Sequence, residues 1–288
     1  MKIGIIGAGK VGFSLGRFLA QGGIQITGYY SRSQESAKEA GAFTDSGFFC
    51  SLKDLAKESD AIFITVPDSA IRDVFLELCT FEIKNKYICH CSGALSVKDA
   101  FPGIEDRGAF GVSVHPLFPV SSKYASYGEL QDAFFCLEGN EKAAAAFEDI
   151  LKGLGVRTQR IAPENKVLYH AGCVMASNFM CALAMEAIEL LRMCGFSEEG
   201  AKDALSPLME ANLSHILEDG PVKALTGPAE RADTVTVSKH LDALSDPYAN
   251  RLYRLLSLKL AQMAGQKHPD KDYGGLIGLL TDSEEDRS

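Results

Sequence analysis

Gly7, Gly9 and Gly12 carry the spacing G-x-G-x-x-G between the apolar run Lys2 to Ile6 and a helical pattern formed by Val11, Leu15, Phe18 and Leu19. A strand, a glycine turn and a helix in that order predict a site for a dinucleotide diphosphate. Gly7 permits the tight turn, Gly9 lets the backbone approach the diphosphate, and Gly12 lets helix and strand pack closely. The phosphates would rest on the free N–H groups and positive dipole end of the helix. Gly7, Gly9, Lys10, Val11 and Gly12 are therefore expected to line the diphosphate.

About 20 residues further on, a site selective for an unphosphorylated ribose carries an acid. Here the sequence has Ser31, Arg32 and Ser33 instead, after the expected strand Ile24 to Tyr30. Two hydroxyls and a guanidinium suit a 2′-phosphate, and NADP is the expected cofactor. Arg32 can equally serve a helix that starts near Gln34.

Three further strands are expected to end in turn or polar residues: Val66-Pro67-Asp68, Ser92-Gly93 and His115-Pro116. Ligands bind at the carboxyl ends of strands in open parallel sheets, so Val66, Pro67 and Ser92 are assigned to the nicotinamide. His115, expected just after a strand Gly111 to Val114, is either a loop-bracing group or a catalytic one.

Pro163 to Met193 reads as one long helix, ended by Gly195. It is apolar almost all round, which predicts a place at the centre of its domain or in a subunit interface. Its polar residues fall in line: at about 100° per residue, Lys166, His170, Cys173 and Ser177 lie near 0°, 40°, 340° and 20°, with Asn178 near 120°. A proton donor of near-neutral pKa is what reduction of a C=O or C=N bond needs. His170 is the first candidate and His115 the second. Lys166 is expected to lower the pKa of His170 through like charge, and Ser177 and Asn178 to position the substrate.

Strands and helices alternate through the first half, the pattern of an α/β, doubly wound, mostly parallel sheet. The boundary is expected near residue 160: 1–160 for the dinucleotide, 161–288 an all-helical domain for substrate and dimerisation, with the pocket between them. In the second half a helix from Ser197 to about Glu218 is expected to break at Pro207. Leu225 to Asp233 (LTGPAERAD) reads as a turn in which Pro228 opens a helix. Arg231 and Asp233 serve there either as an anion clamp or as a surface residue and an N-cap. A final helix runs from Pro247 to Ala264, and residues beyond His268 read as an arm ending in a solvated acidic tail.

Of the 288 residues, 46% are hydrophobic and 23% charged, with a net charge of −9 and no basic run. Nucleic acid is therefore not an expected partner. No uninterrupted apolar tract of about 18 residues occurs, so no membrane span is expected. Glycines cut the apolar N-terminus, which argues against a secretory signal. The eight cysteines form no CxxC pair and read as reduced, buried small hydrophobes of a cytoplasmic protein. Cys89-His90-Cys91 has no second ligand pair at zinc-like spacing, so no metal is assigned.

The motifs GIIGAGKVG, YSRS, VPD, HCSGAL, HPLFP, YHAGCVMASNF and LTGPAERAD span nearly the whole chain. Together they resemble a family of two-domain, Rossmann-like bacterial NADP-binding oxidoreductases with a C-terminal domain of unknown function. More distantly the layout is similar to pyrroline-5-carboxylate reductase, ketopantoate reductase and prephenate dehydrogenase. The resemblance implies a Rossmann fold, NADP, a small-molecule substrate and a homodimer. The Lys and Asn four apart of ketopantoate and β-hydroxyacid enzymes do not carry over, because Val174 stands four residues before Asn178. His115 matches the His of a prephenate-dehydrogenase turn. The expected function is hydride transfer between NADP(H) and a small carbonyl, imine or hydroxy acid. The alternatives are a prephenate-dehydrogenase-like enzyme on a cyclic acid and a non-catalytic NADP-binding sensor.

Overall fold

The computed structural model describes residues 1–281; the acidic tail assigned as solvated lies outside the described residues. The described chain divides into two compact units, Met1–Ser177 and a second that begins at Asn178.

In the first unit β1 (Lys2–Ile6), α1 (Lys10–Gln21), β2 (Gln25–Tyr30), α2 (Gln34–Phe43) and β3 (Gly47–Phe48) open the chain. Then come α3 (Leu52–Glu58), β4 (Ala61–Ile64), α4 (Asp68–Leu78), β5 (Tyr87–His90) and the short α5 (Val97–Ala100). β6 (Phe110–Leu117), α6 (Ser126–Glu129), β7 (Phe134–Gly139), α7 (Glu141–Gly153) and β8 (Arg157–Arg160) complete the sheet, and α8 (Lys166–Ala176) closes the unit. Among the described residues eight strands form one sheet in the order β3-β2-β1-β4-β5-β6-β7-β8. All neighbours pair parallel except β6 with β7, so the expected doubly wound, mostly parallel sheet is present.

Apolar side chains cover both faces, as a parallel sheet requires. Phe13 and Leu15 of α1, Ala37 and Ala40 of α2, and Phe147 and Leu151 of α7 bury one face with Ile3, Ile5 and Phe63. Leu52 and Leu55 of α3, Ile71 and Phe75 of α4, and Val97 and Ala100 of α5 bury the other with Ile6, Ile62 and Ile88.

The second unit comprises α9 (Asn178–Met193), α10 (Glu198–Asp219), α11 (Pro221–Ala224), α12 (Thr234–Ala243), α13 (Pro247–Lys267) and α14 (Gly274–Thr281). Val237 and Leu241 of α12, Ala261 and Ala264 of α13, and Leu276 and Leu280 of α14 form its core.

Several expectations are corrected. The single helix Pro163 to Met193 is a 3₁₀ turn, then α8, then α9, with Ser177 at φ −128° and ψ −73° between the two helices. The Ser177 hydroxyl donates to the Cys173 carbonyl at 2.7 Å, the back-bond by which serine bends helices. These helices are also not central to the chain's core. Val167 and Leu168 are 71% and 75% exposed, and Met175, Phe179 and Met185 are exposed too. By length and composition the stretch Pro163–Met193, with mean hydropathy 1.5, could cross a membrane. A single such stretch does not argue for one, because apolar interface helices share that composition.

Pro207 does not break α10, which runs unbroken through it. Asp203, whose carbonyl the proline leaves without an N–H partner, is exposed, so water can satisfy it. The arm beyond His268 includes α14, whose Leu276 and Leu280 are buried. Pro228 lies in a run of turns rather than opening a helix. Only Cys89 and Cys136 are buried; Cys50, Cys181 and Cys194 are exposed and the other three half-buried.

Candidate functional site

The glycine turn between β1 and α1 is held from below. Gly7 has φ +105°, and its N–H donates to the Tyr30 carbonyl at 2.9 Å. The Thr65 hydroxyl donates to the carbonyls of Ile6 and Gly7 at 3.1 and 3.0 Å, tying the turn to the end of β4. A Cβ on Gly12 would lie 2.3 Å from the Gly7 carbonyl, whereas one on Gly9 would meet nothing within 4 Å. Gly9 is also the N-cap of α1 and makes no side-chain cap. The open side of the turn thus presents backbone N–H groups that no side chain satisfies, beside exposed Lys10 and half-buried Val11. That arrangement fits a diphosphate.

At the end of β2, Ser31 is half-buried and Arg32 exposed. Ser33 caps α2 by accepting the Ser36 N–H at 3.2 Å. A capping hydroxyl keeps its proton free to donate, so the trio fits a phosphate on the ribose.

Val66 and Pro67 follow β4, with Pro67 the N-cap of α4. Ser92 is buried, and its hydroxyl is committed to the protein. It donates to Asp68 Oδ2 at 2.6 Å and accepts the N–H groups of Ala94 and Leu95 at 3.2 and 3.0 Å. It shapes the turn after β5, so any contact it makes with a ring comes through its backbone or Cβ.

Next to this turn, one face of the sheet is polar. His90 pairs in register with Ser113, and Ser113 with Glu138, so three strands contribute one buried row. Lys166 descends on it from α8, only 1% exposed, and its Nζ donates to Ser113 Oγ at 2.5 Å. Burial lowers the Lys166 pKa, while Cys136, Glu138, Cys91 and Asp68 hold its charge. Burial raises the Glu138 carboxyl, against the Val97 N–H and Lys166. Burial and then Lys166 and His115 push His90 down to about 3. The Ser92 N–H donates to His90 Nδ1 at 3.2 Å, which places that ring's proton on Nε2.

Two residues along β6, His115 pairs with Cys136. β6 continues to Leu117, so His115 and Pro116 lie within the strand and not after it. The antiparallel partner β7 extends the ladder past the point where the expected parallel strand stops. His115 Nδ1 lies 2.7 Å from the Tyr169 hydroxyl. Burial, then the charges of Lys166 and His170, hold His115 down to about 4, so it is neutral at pH 7. The Lys166 charge, expected to act on His170, thus bears on His115 and His90.

The rings of His115 and His170 stand 6.2 Å apart, nearly perpendicular. A Cβ on Gly93 would lie 2.5 Å from His170 Nδ1 and 2.9 Å from His115 Nε2. His170 Nδ1 is buried and has no hydrogen-bond partner among the described residues. Lys166, Tyr169 and His170, at spacings of three and four on α8, therefore meet the carboxyl rim of β5 and β6.

Ser177 is not among them: it lies at the exposed end of α8 with its hydroxyl on Cys173. Asn178 begins α9 in the second unit. Tyr169 was missed by the sequence reading, and Gly93 was read only as part of a strand end on this rim. Tyr169 falls about 60° from Lys166 on the same helical stripe, a signal available but passed over because tyrosine reads as apolar. Thr65 carried no signal. In the second unit Asp233 is the N-cap of α12, accepting the Thr236 N–H at 3.0 Å, and Arg231 is exposed.

The fold is a Rossmann-like α/β unit followed by a helical one, and the similarities follow the same division. Residues 1–116 match a Rossmann-like domain, and residues 133–260 match a domain of unknown function, DUF2520. No curated protein matches the chain at a significant level.

Solved structures do resemble it. A candidate NADP oxidoreductase, BF3122 from Bacteroides fragilis, is 25% identical with a TM-score of 0.67, over 91% of this chain and 98% of that one. Protein TM1727 from Thermotoga maritima is 24% identical with a TM-score of 0.75, over 92% and 99%. An imine reductase from Pseudomonas sp. is 18% identical with a TM-score of 0.62, over 92% and 97%. The last two likenesses show the fold.

Proposed function

We propose that this chain is an NADP-dependent oxidoreductase that moves a hydride between NADP(H) and a small carbonyl, imine or hydroxy acid. The observation that carries the reading is the convergence of His115 Nε2 and His170 Nδ1 on Gly93, on the rim that also bears the uncapped glycine turn. Ligands of open α/β sheets bind along that rim. The names of BF3122 and the Pseudomonas reductase support the same class.

When bound, the nicotinamide supplies or accepts the hydride. Gly7, Gly9, Lys10, Val11 and Gly12 hold the diphosphate, and Ser31, Arg32 and Ser33 the 2′-phosphate. Val66, Pro67 and the Ser92 turn border the ring. His170 and His115 handle the substrate's polar atom and its proton, with Lys166 and Tyr169 fixing the state and orientation of His115.

The exposed apolar residues of α8 and α9 support a homodimer. The eight free thiols suit a reducing cytoplasm.

The test is NADPH binding and NADPH oxidation with a panel of small ketones, aldehydes and cyclic imines, using His170→Ala and His115→Ala. At least one substrate is expected to turn over. Each variant should lose about 10² or more in turnover while binding NADPH as before. Unchanged turnover in both variants refutes the assignment of the site.

A further inference from the structure

Resting on that reading, we infer that Lys166 is a positioning residue for the Ser92–Gly93 peptide and acts on it through the hydroxyl of Ser113. Two hydrogen bonds in series make the link. Lys166 Nζ on α8 lies 2.5 Å from Ser113 Oγ on β6, and that oxygen lies 3.3 Å from the carbonyl oxygen of Ser92. An ammonium has protons to give and no lone pair, so Ser113 accepts from it and turns its own single proton to the Ser92 carbonyl. The direction of the chain is thereby fixed. Lys166 and Ser113 are both buried, and in such a place bonds in series polarise one another, the more so when an ion starts them.

The other polar atoms of Ser92 are held from elsewhere. Its N–H goes to His90 of β5, and its hydroxyl goes to Asp68 of α4. The carbonyl bond adds β6 and, through it, α8. The turn that borders the nicotinamide is thus tied to the helix that carries Tyr169 and His170.

What depends on this peptide is the spacing at the rim. A Cβ on Gly93 would lie 2.5 Å from His170 Nδ1 and 2.9 Å from His115 Nε2, so both rings crowd the Gly93 backbone. A trans peptide is planar with its C=O and N–H pointing opposite ways, and no peptide among the described residues is cis. Turning the Ser92 carbonyl off Ser113 therefore moves the Gly93 N–H and Cα as well, beside two imidazoles that leave little room. Lys166 and His170 stand four apart on one face of α8. The first ties the turn from below through Ser113, and the second packs on it directly, so α8 and the turn are held in register at two points.

The experiment has a spectroscopic arm and a turnover arm, both on the whole chain. Cell-free synthesis with [1-¹³C]serine and [¹⁵N]glycine marks Ser-Gly peptides, which occur at Ser46-Gly47 and Ser92-Gly93. Ser46→Ala removes the first and identifies the second. Without nucleotide, Ser113→Ala should move the Ser92 carbonyl resonance upfield, as loss of a hydrogen bond to a carbonyl does. Lys166→Met should move it the same way and by less, because the hydroxyl stays and only its charged partner is lost.

With NADPH and the carbonyl and imine panel, Ser113→Ala should lower turnover by about tenfold while NADPH affinity stays within about threefold. Made in the Lys166→Met background, the same substitution should cost less than about threefold, because two steps of one chain do not add. Ser113→Ala cuts the chain and leaves the buried charge in place, so it decides the case if Lys166→Met folds poorly. A Ser92 resonance or a turnover that ignores Ser113→Ala, or a Ser113→Ala loss equally large with and without Lys166, overturns the positioning role while NADPH binding stands. Absence of NADPH binding removes the underlying reading and the positioning role with it.

Discussion

Tyr169 Oη and His115 Nδ1 lie 2.7 Å apart, joining the helix α8 to the strand β6 at the sheet's rim. Three residues before Tyr169, Lys166 reaches the buried row below, and the next residue, His170, reaches Gly93. A single helical turn thus supplies His115 with its hydrogen-bond partner and with the nearby charge that helps hold it neutral.

His115 and His90 give the fold an acid-labile component. Their pKa values fall from 6.5 to about 4 and about 3 in the folded chain. As pH drops below the ordinary value, the unfolded state takes up protons first, so their stability is whole above about 6.5 and is lost towards 4 and 3. For His115 alone the loss is on the order of 3 kcal/mol. Urea midpoints should fall steeply from pH 6.5 to 4. His90→Asn, whose amide oxygen can accept the Ser92 N–H, should make the slope shallower; an equal slope contradicts the assignment.

Lys166→Met removes the buried ammonium but keeps its volume. Because Glu138 and Asp68 stay behind, losing this one charge should lower stability, by up to about 3–5 kcal/mol. The diagnostic is instead at His115, whose pKa should rise by about one unit or more once that charge is gone. An NMR titration of the His115 ring reads it, and an unmoved midpoint would show that burial alone sets the value.

The glycines of the first turn should separate folding from binding. Gly12→Ala drives a Cβ to 2.3 Å from the Gly7 carbonyl, and should cost about 1–3 kcal/mol of stability. Gly9→Ala meets nothing within 4 Å, so the melting temperature should hold while NADPH affinity falls by about tenfold or more. Equal melting losses in both variants would count against a ligand at Gly9.

Leu183, Phe179 and Met185 of α9 are exposed and apolar. Light scattering should report a dimer, and Leu183→Lys should shift it towards monomer by at least about tenfold in dissociation constant. A monomer at every concentration rules the dimer out.

The glycine turn was legible in the sequence because its signal is local: three glycines between two elements of different period. The rows across β5, β6 and β7 were not. His90, Ser113 and Glu138 lie far apart in the chain, and the parallel register of β5 with β6 together with the antiparallel register of β6 with β7 brings them into one row. That register also explains why His115 was expected in a loop. β8 went unseen because Arg157-Thr158-Gln159-Arg160 is polar, as edge strands can be. Ser177 and Pro207 show the two ways a local rule fails. A hydroxyl bent a helix that its apolar pattern made continuous, and an exposed carbonyl let a proline stay inside another.

The measurement that bears most directly on the account is calorimetric titration of the chain and of Arg32→Ala with NADPH and NADH. The account expects NADPH to bind the native chain more tightly than NADH, and Arg32→Ala to weaken NADPH by about 10- to 100-fold with little change for NADH. No heat with either nucleotide, or an Arg32→Ala variant indistinguishable from the native chain, would contradict it.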